Sequence, residues 1–319
     1  MTSKSPPWAG LSLPTPSAIA LGLFDGVHVG HQEILRRTLT VAERVSLPAA
    51  VFSFQNHPKA VLGNGPEGAP RLLVPPKRRE ELLRAFGMSE VLMPEFTREW
   101  AETPAETFAR EFLAETLRVR HVVVGFNYCF GRRAEGRARD LQGFGERHGF
   151  GVEIVPPFLL DGEEVSSTRI RLAIQAGDLA SANRLLGRPH ELSGTVIRGD
   201  GRGVRLGYPT ANLAPDLPPL LPPGVYAVEV EGAEPLGFGL FFLGPRRTFG
   251  EAESVSTVEV HILDYAGDLY GRRLRIGVLG RVRGAMKFTG PGALIEQIRK
   301  DREACEPFFQ ERLPKVGAR

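Results

Sequence analysis

The sequence changes its rhythm once, near residue 187, and that change constrains the fold more than any single motif. Before it, short apolar runs alternate with amphipathic stretches. The runs "AIALGLF" (18–24), "AAVFSF" (49–54), "EVLMPEF" (90–96), "HVVVGF" (121–126) and "GVEIVPPF" (151–158) read as strands. Between them "QEILRRTLTVAERV" (32–45), "PPKRREELLRAFG" (75–87) and "TPAETFAREFLAETL" (103–117) carry helical spacing. The last predicts its own start: Thr103 caps, Pro104 suits the first turn, and Glu106 completes a capping box. Apolar strands separated by amphipathic helices imply a parallel sheet covered on both faces.

The stretch 167–189 then reads as two short helices. After it "SGTVIRG" (193–199), "GVYAVEV" (224–230), "LGFGLFFLG" (236–244), "TVEVHILDY" (257–265) and "LYGRRLRIGVLG" (269–280) follow with no helix between them. Such spacing predicts a compact antiparallel β-barrel, closed by a C-terminal helix over 292–309. The reading is therefore α/β followed by β, with domains at 1–186 and 187–319 and no internal repeat.

At 319 residues each half can bury a core of its own. No uncharged apolar run is long enough to span a bilayer, and the opening 17 residues read as an irregular arm, not a signal peptide. Cys129 and Cys305 form no spaced set, so neither a disulfide framework nor a zinc site is expected, which fits a cytoplasmic protein. A net charge of +3 without a dense Lys/Arg block suits phosphate chemistry and argues against nucleic acid as partner. Oligomeric state cannot be read from these features.

"GLFDGVHVGH" (22–31) stands where the first strand meets a helix. In an open α/β sheet this loop lies at the strand's carboxyl end, and the following helix points free N–H groups at it. Gly26 and Gly30 let backbone approach a ligand, and His28 and His31 can donate to phosphate oxygens and offset charge in a phosphoryl transition state. Two histidines without a downstream cluster leave zinc short of ligands, and the dinucleotide and P-loop patterns are absent. A bare turn is the plainer alternative. In "VSSTRIR" (165–171), Ser166, Ser167 and Thr168 can cap a helix and hold phosphates, and Arg171 can take an anion; an ordinary N-capped helix is the other reading.

The pattern His-x-Gly-His after a first strand resembles the nucleotidyltransferase superfamily, and "VSSTRIR" resembles its second element. Taken with "VFSFQNHP", "VVVGFNYCFG", "GTVIRGDGRGVRLGYPTANL", "LPPGVYAVEV" and "VEVHILDYAGDLYG", the chain resembles the bacterial bifunctional riboflavin kinase/FAD synthetases over nearly its whole length. The resemblance implies a Rossmann-like nucleotidyltransferase domain that moves AMP from ATP to FMN. It also implies a barrel that moves the γ-phosphoryl of ATP to riboflavin. Mg²⁺ would be required, and the partners would be riboflavin, FMN and ATP.

By the same resemblance His28 and His31 hold the ATP phosphates, Asn127 lies near the phosphates or the metal, and Phe54, His57, Pro58 and Phe130 belong to the flavin side. Aromatic rings can stack on a flat isoalloxazine, although for Phe54 and Phe130 each taken alone core packing is the plainer role. In the barrel, Gly199, Gly201, Gly203 and Gly207 can line phosphates, Thr210 and Asn212 can supply metal oxygens, and Glu259 is the candidate base. Where relatives carry Asp, this chain has Asn127, and Asn56 stands where Pro is common. Val204 and Arg205 sit in a glycine loop whose arginine has shifted by one, and Phe242 and Leu243 replace an Asn-Ile pair. These departures leave a weakened or silent kinase open. Two other readings remain: a different nucleotidyltransferase joined to a barrel, or a barrel that only binds RNA or protein through Arg246, Arg247, Arg272, Arg273 and Arg275.

Overall fold

A computed structural model of the protein describes residues 5–63, 68–199, 201, 203, 206–233, 236–245 and 256–312. Packing divides the chain into two compact units, Met1–Ser167 and Thr168–Arg319.

The first unit is built on five parallel strands: β1 (Ala18–Leu21), β2 (Ala49–Phe52), β3 (Glu90–Leu92), β4 (His121–Gly125) and β5 (Gly151–Val155), in the order β3-β2-β1-β4-β5. All four residues of β1 and of β2 are buried, as expected for strands covered on both faces. Helices α1 (Val29–Arg44) and α2 (Pro76–Ala85) contribute Leu35, Val41 and Leu83 to one apolar layer. The opposite layer is aromatic: Phe52, Trp100, Phe108, Phe112 and Phe130 pack with Trp8. Phe52 and Phe112 stand 4.8 Å apart and close to edge-on, the arrangement the ring quadrupoles favour.

Two local expectations fail here. The first strand stops at Leu21, three residues short of the apolar run, because Phe24 turns to φ 51° and leaves the extended region. The capping box at Thr103 does not form. Thr103 instead bonds back to the Glu99 carbonyl (2.9 Å), and Glu106 pairs with Arg147 and His148. The free amide of Ala105 is taken by Glu135 from 30 residues away (2.8 Å). That helix then widens over Phe108–Thr116, where the Leu117 amide reaches back five residues to the Phe112 carbonyl.

In the second unit α3 (Ser167–Ala176) and α4 (Leu179–Leu186) precede a closed antiparallel barrel. Its strands are β6 (His190–Ile197), β7 (Ala211–Pro215), β8 (Gly224–Glu231), β9 (Gly237–Pro245), β10 (Ser256–Ile262) and β11 (Arg273–Gly284). They run in the order β6-β7-β10-β9-β8-β11, and β11 pairs with β6 to close the ring. The sequence predicts five of these; β7 is not among the strands it predicts. Gly187 ends α4 at φ 72°, and Asn183 of α4 bonds both the Val278 carbonyl of β11 (2.9 Å) and the His190 amide of β6 (2.7 Å). Through Asn183, α4 thus packs against the barrel.

The C-terminal helix α5 (Pro291–Arg312) buries Cys305 and Phe309 against Val225, Ala227 and Leu240. It is anchored by Asp301, 2% exposed, which accepts two bonds from Arg283 at 2.7 Å each. Removing the carboxylate leaves a largely buried guanidinium without its counter-charge. Asp301→Ala is expected to destabilise the barrel by about 3 kcal/mol or more. Urea unfolding followed by circular dichroism should show an earlier transition for the second unit, and an unchanged midpoint would refute the assignment. Both tryptophans, Trp8 and Trp100, lie in the first unit, so tryptophan fluorescence reports that unit separately.

Candidate active sites

The strand order reverses direction between β1 and β4, which makes the crevice at their carboxyl ends the natural ligand position of the first unit. A pocket opens there, lined by His28, Gly30, His31, Asn127, Ser166 and Ser167, together with Phe126, Pro156, Pro157 and Phe158.

The loop that carries the histidines is strained and heavily tied. Phe24 and Val27 adopt φ 51° and 43°, unusual for side chains of this bulk, and Gly26 takes φ 83°. Ser53 donates to the Leu23 carbonyl (2.9 Å), Gln32 to Val27 (3.0 Å) and Ser167 to Asp25 (2.9 Å). The last bond joins the two motifs that the sequence separates by more than 130 residues. It also spends the Ser167 hydroxyl on the loop, where capping was expected. Ser167 is the first residue of α3, and Thr168 and Arg171 follow on that helix.

His28 occupies the N-cap of α1, and its Nδ1 accepts the His31 amide (3.2 Å). The two imidazoles stack 3.5 Å apart and nearly parallel. Gly30 leaves room for this contact, since a Cβ there would lie 3.3 Å from the His28 ring and crowd it. Burial first, then the neighbouring His28 and the Arg79 guanidinium, hold the His31 pKa well below its ordinary value. His31 is therefore a neutral ring at pH 7, with one N–H to donate. His28 is 4% exposed and fixed by its cap.

The flavin-side residues lie elsewhere in the same unit. Phe54 is half-buried, with its ring edge-on to Phe96 at 4.9 Å and Trp100 at 5.3 Å, and Phe130, 6% exposed, packs on Phe108 at 5.5 Å. Both rings belong to the core, and neither lines the histidine pocket. His57 caps a short turn by accepting the Lys59 amide (3.1 Å), and Pro58 begins that turn. Asn56 has a clear role: its amide donates to the Phe96 carbonyl (3.0 Å) and accepts from the Phe96 amide (2.7 Å), pinning the segment as a proline could not. The aromatic rings that do border the histidine pocket, Phe126 and Phe158, are exposed and were not singled out from the sequence. Their place after two strand ends was the available signal.

In the second unit Thr210, Asn212 and Glu259 meet. Asn212 on β7 pairs with Glu259 on the neighbouring strand β10, and the Thr210 hydroxyl donates to the Glu259 carboxylate (3.2 Å). A bare Gly199 accommodates the Asn212 amide, and Gly203 lies against the Tyr208 carbonyl and the Thr210 hydroxyl. Gly201 and Gly207 use left-handed φ of 65° and 83°. Val204 and Arg205 of this loop lie outside the described residues, as do Arg246 and Arg247. Phe242 stands on the other side of Glu259, paired with it across β9 and β10. A cleft of about 380 Å³ adjoins Thr210, bordered by Val196, Ile262, Tyr265, Asp268 and Tyr270. Glu259 and Asn212 are not part of its wall. Two of the five arginines of the suggested basic patch carry acidic partners: Arg273 bonds Asp216 (3.0 Å) and Arg275 bonds Glu231.

A phosphate-ready loop at a sheet's switch point, and a hydroxyl–carboxylate pair beside a glycine loop in a barrel, define a transferase with two separate modules. Family models for FAD synthetase and for riboflavin kinase match residues 12–169 and 186–309. A bifunctional riboflavin kinase/FMN adenylyltransferase of Listeria monocytogenes is 36% identical over 91% of this chain and 92% of its own; that of Bacillus subtilis is 33% identical over 92% of each. The chain belongs to this bifunctional family. A solved Streptococcus pneumoniae structure titled a macrolide-efflux protein shares the fold at a TM-score of 0.85 and 33% identity, covering 93% of this chain and 96% of its own. Among the described residues here, no helix is long and apolar enough to cross a membrane.

Proposed function

We propose that the pocket of the first unit adenylylates FMN and that the Thr210–Asn212–Glu259 group of the second phosphorylates riboflavin. The modules would meet at 186/187, a reading supported by the riboflavin kinase match beginning at residue 186. In the first reaction an oxygen of the FMN phosphate attacks the α-phosphorus of ATP, and the bond to the β-phosphate breaks. His28 and His31 face the charge that grows on the departing pyrophosphate, with Asn127, Ser166 and Ser167 as further polar wall. Gly26 shapes the loop, Thr168 and Arg171 are assigned to phosphate binding by the motif that begins at Val165, and Phe54, His57, Pro58 and Phe130 build the flavin side. For the two rings, Phe54 half-buried and Phe130 buried, that role is indirect, as the floor beneath the segment that meets flavin.

In the second reaction Glu259 orients the ribityl 5′-hydroxyl and accepts its proton as the oxygen bonds to the γ-phosphorus and ADP leaves. Gly199, Gly203 and Gly207 let the loop follow the nucleotide phosphates. Among the described residues no three His, Cys, Asp or Glu side chains cluster to hold a metal. The donors present, the Thr210 hydroxyl and the Asn212 amide oxygen, are hard and few, which fits an Mg²⁺ ion held mainly by substrate phosphates. When bound, that ion neutralises phosphate charge. Both cysteines are free, and we place the enzyme in the cytoplasm.

The observation that carries the reading is the His28–His31 stack at the switch point of a nucleotide-binding sheet. Titrating the protein with FMN and following flavin fluorescence tests it. Saturable quenching, enhanced by ATP, is expected, and failure to bind any flavin would overturn it.

A further inference from the structure

Arg79 stands in a charged run, "KRREE" (77–81), yet it is fully buried on α2. A buried guanidinium is expected to satisfy its donors or to meet an anion. This one does neither completely. One terminal nitrogen donates to the carbonyls of Phe54 and, at 3.0 Å, of Gln55, while Nε and the other terminal nitrogen find no partner. Burial lowers its pKa to about 10, leaving it protonated at neutral pH.

Its surroundings explain why the charge is kept. Buried Asp25, in the histidine loop, attracts it, and His31 feels it electrostatically. Asp25 itself accepts the Leu73 amide through its carboxylate (2.9 Å) and the Ser167 hydroxyl through its carbonyl (2.9 Å). Arg79 therefore touches the Phe54–Gln55 segment on one side and acts on the phosphate loop on the other.

We propose that Arg79 is a positioning residue for FMN adenylylation, fixing the Phe54–Gln55 carbonyls of the flavin segment in register with the Asp25–His31 loop. This rests on the reading of that segment as the flavin side. The arginine carries two separable parts. Its fork of hydrogen bonds sets the backbone of the flavin segment, and its charge acts on the ring that faces phosphate.

Two substitutions in the full-length protein separate them. Arg79→Met removes both parts, and Arg79→Lys keeps the charge while losing the fork. Arg79→Met is expected to raise KM for FMN by about tenfold or more with little change in KM for ATP. It should also move the acid limb of the adenylylation pH profile to higher pH. The groups acting on His31 are His28 and Arg79, and only the arginine is removed. Arg79→Lys should restore the pH profile and leave part of the KM defect. Tryptophan fluorescence, from Trp8 and Trp100 in the same unit, confirms folding.

A folded Arg79→Met protein with unchanged KM and pH profile, or one whose kcat alone falls in both variants, would overturn the proposal. His57→Ala keeps its failure distinct from that of the flavin-segment reading. If His57→Ala raises KM for FMN and Arg79→Met does not, only the arginine proposal fails. If neither does, the segment was wrongly placed and the proposal falls with it.

Discussion

His31→Ala is expected to lower FMN adenylylation by about 100- to 1,000-fold while leaving riboflavin phosphorylation unchanged. The magnitude follows from what the ring does. In the proposed role it is a neutral donor, held against His28 at 3.5 Å and against Phe24 at 5.3 Å, so it would meet phosphate without reorganising. Preorganised donors of this kind act mainly on the transition state, so the loss should fall on kcat, with KM for ATP little changed. His31→Asn, which keeps an N–H, should recover part of the rate. The pH dependence has a definite sign: because the folded protein holds the His31 pKa well below 6.5, the neutral ring persists as pH falls through 6.5. Adenylylation should hold its rate there and decline only at lower pH. A decline centred at 6.5 would show a freely titrating imidazole.

Glu259→Gln gives the complementary result. Riboflavin phosphorylation should fall by about 100- to 10,000-fold, the range for loss of a positioned general base, and FMN adenylylation should be unaffected. Glutamine keeps the size of the side chain and can still accept the Thr210 hydroxyl, so the pairing of Asn212 with residue 259 survives. A fall in rate therefore reports lost basicity, not a collapsed barrel. Phe242 shares the rung with Glu259 and can slow the parent kinase. Its rate in the unsubstituted protein sets the scale for the loss. No change on removing the carboxylate would mean that the barrel does not catalyse, and the binding-module reading would regain ground.

How far these sites were legible depends on how local their causes are. The parallel sheet was readable because its strands are short apolar runs bounded by helices of regular spacing, and the barrel because its strands follow one another without helices. The histidine loop was readable because two imidazoles and three glycines share ten residues. β7 was not: "ANLAP" carries a polar residue and a proline, and it is a strand only because Ile197 on one side and Glu259 on the other pair with Asn212. The capping of Ala105 by Glu135 likewise depends on a residue 30 positions away. Phe54 and Phe130 had the composition of a stacking surface, and only tertiary packing shows them facing Trp100 and Phe108. Arg79 was hidden most completely, because a charge among charges carries no sign that it will be buried.

The two-module account is tested most directly by incubating the protein with riboflavin, ATP and Mg²⁺ and separating the flavins over time. It predicts that FMN appears first and FAD after it, with pyrophosphate released as FAD forms. Folded protein that leaves riboflavin and added FMN both unchanged would contradict it.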